Sequence, residues 1–549
     1  MNENAVKTLV QRFDSAKTDR SNFEKHWNDI AEVLSPAGAV FLEDSPQQGE
    51  KTNKFVYDST GIHANELLSS GFFSLLTSPT TPWFTLTTTD RKLNQAYDVK
   101  VWLNDVSKVM AYEIQRPQTG FTTALHELYL EYGGYGNGTL FLTEKNDYSS
   151  LLFQSLPLTE CYYLENDEGF IDTLIRFYTR TTIQLIERFG IENVSDKVKQ
   201  AYDGQKYDQK FKVLHFILPN VEAQSMGVTS KDLPFISVYL EYETKQVLQE
   251  SGFEEQPFMA ARFYKMPQEI YGRGPGSSAL SDINMLQQIM KTVLRGAQKM
   301  VDPPLQMPDQ GFITPPRVGP GNVNYYRAGS QDRIEAVQIQ GRPDIGFDLI
   351  ADTRNRIREM FFVDQLQLSS GPQMTATEVL QRTEEKLRLM GPVVGRASTE
   401  LLSPMISRSF GLLMRAGKLP QAPDLLLQSP AKLQVIYTSP IVKAQEQVSA
   451  NGLLRVTQLV LPLMASDPTT MDVFNVDRIT RGLGEMFNID PTFFRSEDEV
   501  AAVREQRQQQ MMQQNSAAQL KDTGIGLNNL ANAGQVLNES AGSGLMLGA

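Results

Sequence analysis

The run that most constrains this chain is a helix-forming segment from Ser277 to Val301, cut off by Asp302-Pro303-Pro304. Within it Ala279, Ile283, Leu286, Met290, Val293, Ala297 and Met300 recur at alternating steps of four and three, a heptad seam. Such a seam packs against neighbouring helices along its whole length, roughly 37 Å at 1.5 Å per residue. Proline lacks an amide hydrogen and clashes with the preceding turn, so the tandem pair stops the helix sharply. Leu305 to Arg342 is rich in proline and glycine, and predicts a strand pair around Asn322 to Arg327 and Ile334 to Gln338. Pro343-Asp344 then opens a returning helix through Phe362, with Leu349, Ile350, Thr353, Ile357 and Met360 on one side. The plan is helix, β-rich knob, helix.

Elsewhere the period of the apolar residues divides the chain. Asn4 to Leu34 reads as helix in one or two pieces, Thr60 to Leu76 as a second, and Val99 to Gln115 and Thr122 to Tyr132 as two more. From about Gly133 the period becomes alternating, predicting a strand-rich body to about Tyr264 with one short helix near Thr182 to Phe189. Tyr271-Gly272-Arg273-Gly274-Pro275-Gly276 reads as a flexible entry into the heptad helix. Thr375 and Glu378 form a capping box that launches a long helical segment to about Ala416, interrupted at Gly391-Pro392 and Pro404 and closed by Gly417. Ser496 to Leu520 is a polar helix, and Lys521 to Ala549 is rich in Gly, Asn, Ala and Ser, the composition of a mobile tail.

Composition then limits the partners. With 52 Lys and Arg against 64 Asp and Glu the net charge is −12, which argues against gripping nucleic acid through a broad basic face. The single cysteine, Cys161, cannot make an internal disulfide, so the fold does not depend on an oxidising compartment. Met1 to Phe13 lacks the charged-then-apolar order of a signal peptide, and no run reaches the roughly 18 apolar residues of a membrane span. No membrane partner is expected.

The chemistry-bearing motifs are mostly absent. No phosphate-cradling loop of the G-x-x-x-x-G-K-[ST] type occurs, and the glycines of 272–276 lack the spacing of a dinucleotide fingerprint. His126-Glu127 begins like a zinc-protease motif, but Leu130 stands where the second ligand should be, so neither metal nor cofactor is expected. Asp58-Ser59-Thr60-Gly61 superficially resembles an aspartic-protease loop with an extra residue; the plainer reading is a helix N-cap by Asp58 or Ser59. Two basic stripes remain. Lys291, Arg295 and Lys299 recur every four residues opposite the heptad seam, and Arg354, Arg356 and Arg358 crowd the returning helix. They suit a solvated face, ion pairs between subunits, or contacts to DNA on the axis of a ring.

Three stretches together resemble the head-to-tail connector, or portal protein, of short-tailed bacteriophages. They are Phe55-Val56-Tyr57-Asp58-Ser59-Thr60-Gly61 with Leu67 to Gly71 and Leu75 to Phe84; Tyr271 to Pro275 with the helix to Pro304; and Met374-Thr375-Ala376-Thr377-Glu378-Val379. The resemblance implies an α+β, mainly helical fold assembled as a ring, usually of twelve subunits, at one capsid vertex. Residues 1–276 and 375–495 would form the wing, 277–302 and 344–362 the two stem helices, and 303–343 the clip. Residues 363–374 would be the tunnel loop, 496–520 the crown and 521–549 the mobile tail. It further implies a channel for packaging and ejecting double-stranded DNA, without enzymatic activity of its own, in a virion assembled in the bacterial cytoplasm. Implied partners are the chain itself, the DNA, the large terminase ATPase, scaffold and major capsid protein, and tail adaptor and internal core proteins. The candidate DNA-channel residues are then Lys291, Arg295, Lys299, Arg354, Arg358, Gln367, Ser369, Ser370 and Gln373. Ile283, Leu286, Met290 and Val293 are the candidates for subunit or helix packing. Rival readings are another phage adaptor ring and an aspartic hydrolase using Asp58. A DNA conduit should not adhere to its cargo, so a predominantly negative lumen relieved by a few basic rings is expected.

Overall fold

The structure is a computed structural model that describes residues 1–34, 56–79, 83–90, 92–145, 151–226, 228, 233–306, 322, 325, 335–336, 343–366, 390–427, 433–437, 450, 452–459, 475–487 and 489–514. It is largely helical, with most of its strands in the first half. In chain order come α1 (Glu3–Leu34), α2 (Thr60–Leu76), β1 (Phe84–Thr88), α3 (Tyr97–Gln115) and α4 (Phe121–Gly134). There follow β2 (Asn137–Glu144), β3 (Leu151–Leu156), β4 (Cys161–Glu165), β5 (Ile171–Thr181), α5 (Thr182–Phe189), α6 (Asp196–Asp203), β6 (Lys210–Pro219) and α7 (Asn220–Ser225). β7 (Phe235–Glu241), β8 (Val247–Phe253) and β9 (Phe258–Arg262) complete the strand-rich body. The expected lone short helix is thus joined by α6 and α7. Then come α8 (Pro275–Val301), β10 (Leu305–Gln306), β11 (Glu335–Ala336), α9 (Pro343–Met360), α10 (Val363–Leu366), α11 (Gly391–Ala397), α12 (Ser403–Arg415), α13 (Asp424–Leu427), β12 (Leu433–Tyr437) and α14 (Val476–Met486).

Two compact units result. One comprises Met1–Thr87, Asp105–Gln421 and Leu433–Gln445; the other comprises Thr88–Asn104, Ala422–Lys432 and Glu446–Ala549. At the centre of the first is an antiparallel five-stranded sheet in the order β4-β5-β6-β7-β8. Alternation along the strands gives it two apolar faces. Ile175, Leu214, Phe216, Val238 and Leu240 pack under Val6, Leu9, Val10 and Phe13 of α1, while Phe211, Val213 and Tyr239 pack under Leu185 and Phe189 of α5 and Val198 of α6. A three-stranded sheet, β3-β2-β9, lies beside α4. There Phe72 of α2 meets Tyr129, Tyr132 and Phe263 with ring centroids 5.7 to 5.9 Å apart. α1 is one unbroken helix rather than two.

In the second unit, Tyr97 Oη donates to the Phe494 carbonyl at 3.0 Å and Asn104 Nδ2 to Asp490 Oδ1 at 3.2 Å. A helix over 497–514 starts from a capping box: the Glu499 N–H donates to Ser496 Oγ at 3.1 Å, and the Ser496 N–H to Glu499 Oε2 at 3.2 Å.

Beyond α8 only a small part of the Pro-rich knob is described. β11 pairs with β10, Leu305 opposite Ala336, so Glu335–Ala336 takes the strand just after the helix as its partner. Most of 322–327, the partner expected for it, lies outside the described residues, as do the Thr375 and Glu378 capping box and the tail from 515. At Pro404 the expected kink takes the form of a π-helical turn, Ser398–Leu402, immediately before α12. Proline offers no N–H to the carbonyl four residues back, and a wide turn absorbs the missing bond. Gly417 closes α12 with φ of +66°, the left-handed conformation a helix stop uses.

Candidate functional site

The entry into α8 is fixed, not flexible. Gly272, Gly274 and Gly276 lie against the glycine-rich turn that follows α4, with backbone on backbone. A Cβ at Gly274 would stand 2.6 Å from the Gly133 carbonyl oxygen, and one at Gly276 would overlap that of Gly134. Asn137 stitches the two segments together: its Oδ1 accepts from the Gly272 N–H at 2.7 Å and its Nδ2 donates to the Gly272 carbonyl at 3.0 Å. Tyr264 and Arg273 exchange two backbone hydrogen bonds at 3.1 and 2.8 Å. Glycine is used here for close approach, which explains the motif better than freedom of movement does. Gly274 is the N-cap and Pro275 the first residue of α8, whose fixed φ and missing donor suit that position.

Along α8 the heptad seam divides in two. Ala279, Ile283 and Leu286 are buried; a Cβ on Gly61 of α2 would lie 3.1 Å from Ile283 Cδ1. Met290 and Val293 are only half-buried, and Val293 Cγ2 would stand 3.0 Å from a Cβ on Gly346, where α9 passes. Past that point Ala297 and Met300 are exposed, and Val301 is 86% exposed. On α9, Ile350, Thr353 and Ile357 are buried, whereas Leu349, expected on the same side, is exposed together with Phe347.

Where the two helices meet α2, a polar lock forms. Gln287, buried on α8, accepts from the Tyr57 and Asp58 N–H groups at 2.6 and 2.9 Å and donates Nε2 to the Asp58 carbonyl at 2.8 Å. The Asp58 side chain is 3% exposed. Its Oδ1 accepts from the Thr60 N–H at 2.8 Å, and Oδ2 accepts from Arg354 Nε and Nη2 of α9 at 2.9 and 2.6 Å. Burial alone would raise this carboxyl, but the hydrogen bonds from Thr60 and Arg354 outweigh it and hold it below the ordinary range. Ser59, at the N-cap position of α2, makes no side-chain cap. Asp58 is therefore a structural anion whose oxygens serve the helix start and α9.

The basic stripes divide accordingly. Arg354 is spent on Asp58, and Arg356 lies 3.7 Å from Asp282 and 3.6 Å from Asp352. Lys291 Nζ stands 5.9 Å from the Tyr57 ring centroid. Arg295, Lys299 and Arg358 are exposed and form no ion pair among the described residues. Gln367, Ser369, Ser370 and Gln373 lie outside the described residues.

A second polar cluster, not foreseen from sequence, braces the π turn. Arg262 of β9, fully buried, donates Nη2 to Glu400 Oε1 at 2.7 Å and to the Gly169 carbonyl at 2.9 Å, and also pairs with Glu165. Arg396 joins Glu400 at 3.1 Å. A polar residue gives no periodic signal, so Gln287, Asn137 and this cluster needed the fold to bring them together; only their adjacency to glycines or to the seam marked them in the sequence.

Residues 6–494, spanning α8, α9, the lock and the strand-rich body, match the family described as bacteriophage head to tail connecting protein. The chain belongs to this family. It is 31% identical to the portal protein of Salmonella phage epsilon15, over 92% of each chain, and 30% identical to the probable portal protein of Bordetella phage BPP-1, over 94% of this chain and 93% of the relative. A chain of the virion of a native gene transfer agent particle shares 12% identity at a TM-score of 0.36, covering 82% of this chain and 97% of that one, too distant to add to the argument. Within the family's match, the lock, the glycine contact and the exposed distal rods are all contained.

Proposed function

We propose that this chain is the portal of a bacteriophage: a ring, of twelve copies in the arrangement usual for such proteins, at one capsid vertex, through which double-stranded DNA passes inward during packaging and outward at ejection. One observation carries the reading beyond family membership. The apolar seam of α8 continues past the residues its own chain buries to exposed Met300, with Val301 exposed next to it, and Phe347 and Leu349 of α9 are exposed as well. Rods whose apolar faces outrun their own core are built for neighbours of the same kind.

In this reading α8 and α9 are the stem, 303–343 the clip that receives first the terminase ATPase and later tail proteins, and 363–374 the tunnel loop. The regions 1–276 and 375–495 form the wing, and 496–520 the crown. Scaffold, major capsid protein and internal core proteins are its assembly partners, in the bacterial cytoplasm before the virion is complete. Of the basic candidates, Lys291, Arg295, Lys299 and Arg358 remain for the channel, since Arg354 is tied to Asp58. Twelve copies at −12 would carry near −144, so the wall repels a phosphate polyanion and a few basic rings guide it.

Electron micrographs of the purified full chain test this. Rings with a central hole wide enough for a duplex are expected. Compact monomers at every concentration, or a ring whose lumen potential is mainly positive, would overturn it.

A further inference from the structure

The joint between α9 and α10 is held in a backbone conformation that its own residue disfavours. Phe362 has φ of +57°, in the left-handed region. Gln205, Lys245 and Gln268 share that sign, but they are polar and exposed in loops, whereas Phe362 is a half-buried aromatic between two helices. Its Cβ crowds the following carbonyl there, which disfavours the left-handed form by a factor of roughly 5 to 30 in population. The Phe362 N–H donates to the Glu359 carbonyl, three residues back, at 3.0 Å, so the four-residue ladder of α9 is broken at this point. α10 starts afresh, with the Gln365 and Leu366 N–H groups both donating to the Phe362 carbonyl, at 3.0 and 3.1 Å. A second cost lies three residues on: Gln365 Oε1 is buried with no hydrogen-bond partner among the described residues.

Packing opposes both costs. The Phe362 ring stacks on Phe263, with centroids 6.3 Å apart and 26° between the planes. Phe361 and Val363, on either side of the joint, are buried. Leu366 fills the hollow over Gly71 of α2, where a Cβ would stand 2.7 Å from Leu366 Cδ1. Were Phe362 right-handed, α9 would run on through α10 as one helix, carrying Leu366 off Gly71 and the Phe362 ring off Phe263. Side-chain contacts thus hold closed what the backbone and the buried amide oxygen favour opening, the balance of an element with two positions. We propose that α10 is a strap hinged at Phe362, closed over α2 in this structure and released when α9 straightens. Every contact named lies within one protomer, so the strap does not depend on ring formation by α8 and α9.

Iodoacetamide labelling of the full chain, read peptide by peptide in a mass spectrometer, tests it with Val363→Cys placed under the strap. The native Cys161, wholly buried, reports unfolding of the whole protomer. The thiol at position 363 should label at least tenfold faster than Cys161, at a rate that stays flat in low urea while that of Cys161 climbs, because local opening exposes little surface. On that background Phe362→Ala loses the ring and keeps the strain, and should label at least tenfold faster still. Phe362→Gly loses the same ring but tolerates the left-handed backbone, and should label at least fivefold more slowly than Phe362→Ala, the reverse of their order in a regular helix. Gln365→Met removes the unpartnered oxygen and should slow labelling severalfold. Rates at 363 and Cys161 that coincide and climb together in urea overturn the proposal, since the strap would then open only with the whole fold. Equal rates for the glycine and alanine variants also overturn it.

Discussion

Asp58 illustrates how a single carboxylate serves two helices from a buried position. Its depressed pKa means that the folded state holds the anion more favourably than the unfolded chain does. The stabilisation is complete above the ordinary value of 3.8 and is lost as pH falls below it. Asp58→Asn should therefore cost about 1 to 3 kcal/mol at pH 6. The gap from wild type, read from denaturant midpoints, should narrow as the solution is acidified below pH 4. Arg354→Gln should cost a similar amount, and the double variant little more, because both remove one interaction. Glu131 of α4 has the opposite sign. Burial pushes its carboxyl up to about 8, against the Leu158 N–H that donates to it at 3.1 Å. Between its ordinary 4.5 and that value the folded state binds more protons than the unfolded one, so stability falls as pH rises. The slope is at most about 1.4 kcal/mol per pH unit. Melting temperatures from pH 5 to 9 should decline for wild type and flatten for Glu131→Gln; equal slopes would contradict the assignment.

At the scale of elements, two glycines in one helix are expected to behave oppositely. Gly276 sits where a Cβ would overlap the Gly134 carbonyl, so Gly276→Ala must part α8 from the turn after α4 and should cost about 1 to 3 kcal/mol or more. Gly296, further along the same helix, has nothing within 4 Å of a would-be Cβ. Gly296→Ala should stabilise the isolated protomer by about 0.5 to 1 kcal/mol, the helix propensity of alanine over glycine. Urea midpoints at protein concentrations below assembly would read both. The contrast shows what the sequence could and could not convey. Apolar periodicity marked α1, α2, α5, α8 and α9 to within a few residues, because each carries an apolar stripe that is buried over at least part of its length. The glycines of 271–276 were visible, but as freedom rather than contact, since their partner is a turn about 140 residues earlier in the chain, Gly136 against Gly274. Likewise the pairing of Glu335–Ala336 with Leu305–Gln306 had no signal in the sequence, because a two-residue ladder is fixed by the meeting of chain segments and not by local pattern. The basic stripes looked alike in sequence; only the fold separates Arg354, bound to Asp58, from exposed Arg358.

Across the whole molecule, the decisive contrast is between apolar residues the protomer uses and those it leaves unused. Ile283 belongs to the first kind, at 1% exposure, and Ile283→Ala should lower protomer stability by about 2 to 5 kcal/mol. Leu294 and Phe347 belong to the second, at 45 and 60% exposure. Replacing both by glutamate removes nothing from the core, so the unfolding midpoint of the dilute protomer should stay unchanged. Should neighbouring copies cover these positions, the same pair would bury like charges at each contact around the ring, where uncompensated burial is costly. Sedimentation velocity would then show Leu294→Glu/Phe347→Glu as monomers at concentrations where wild type and Gly296→Ala sediment as rings. Rings that persist in that variant would place the subunit contact elsewhere and remove α8 and α9 from the channel wall.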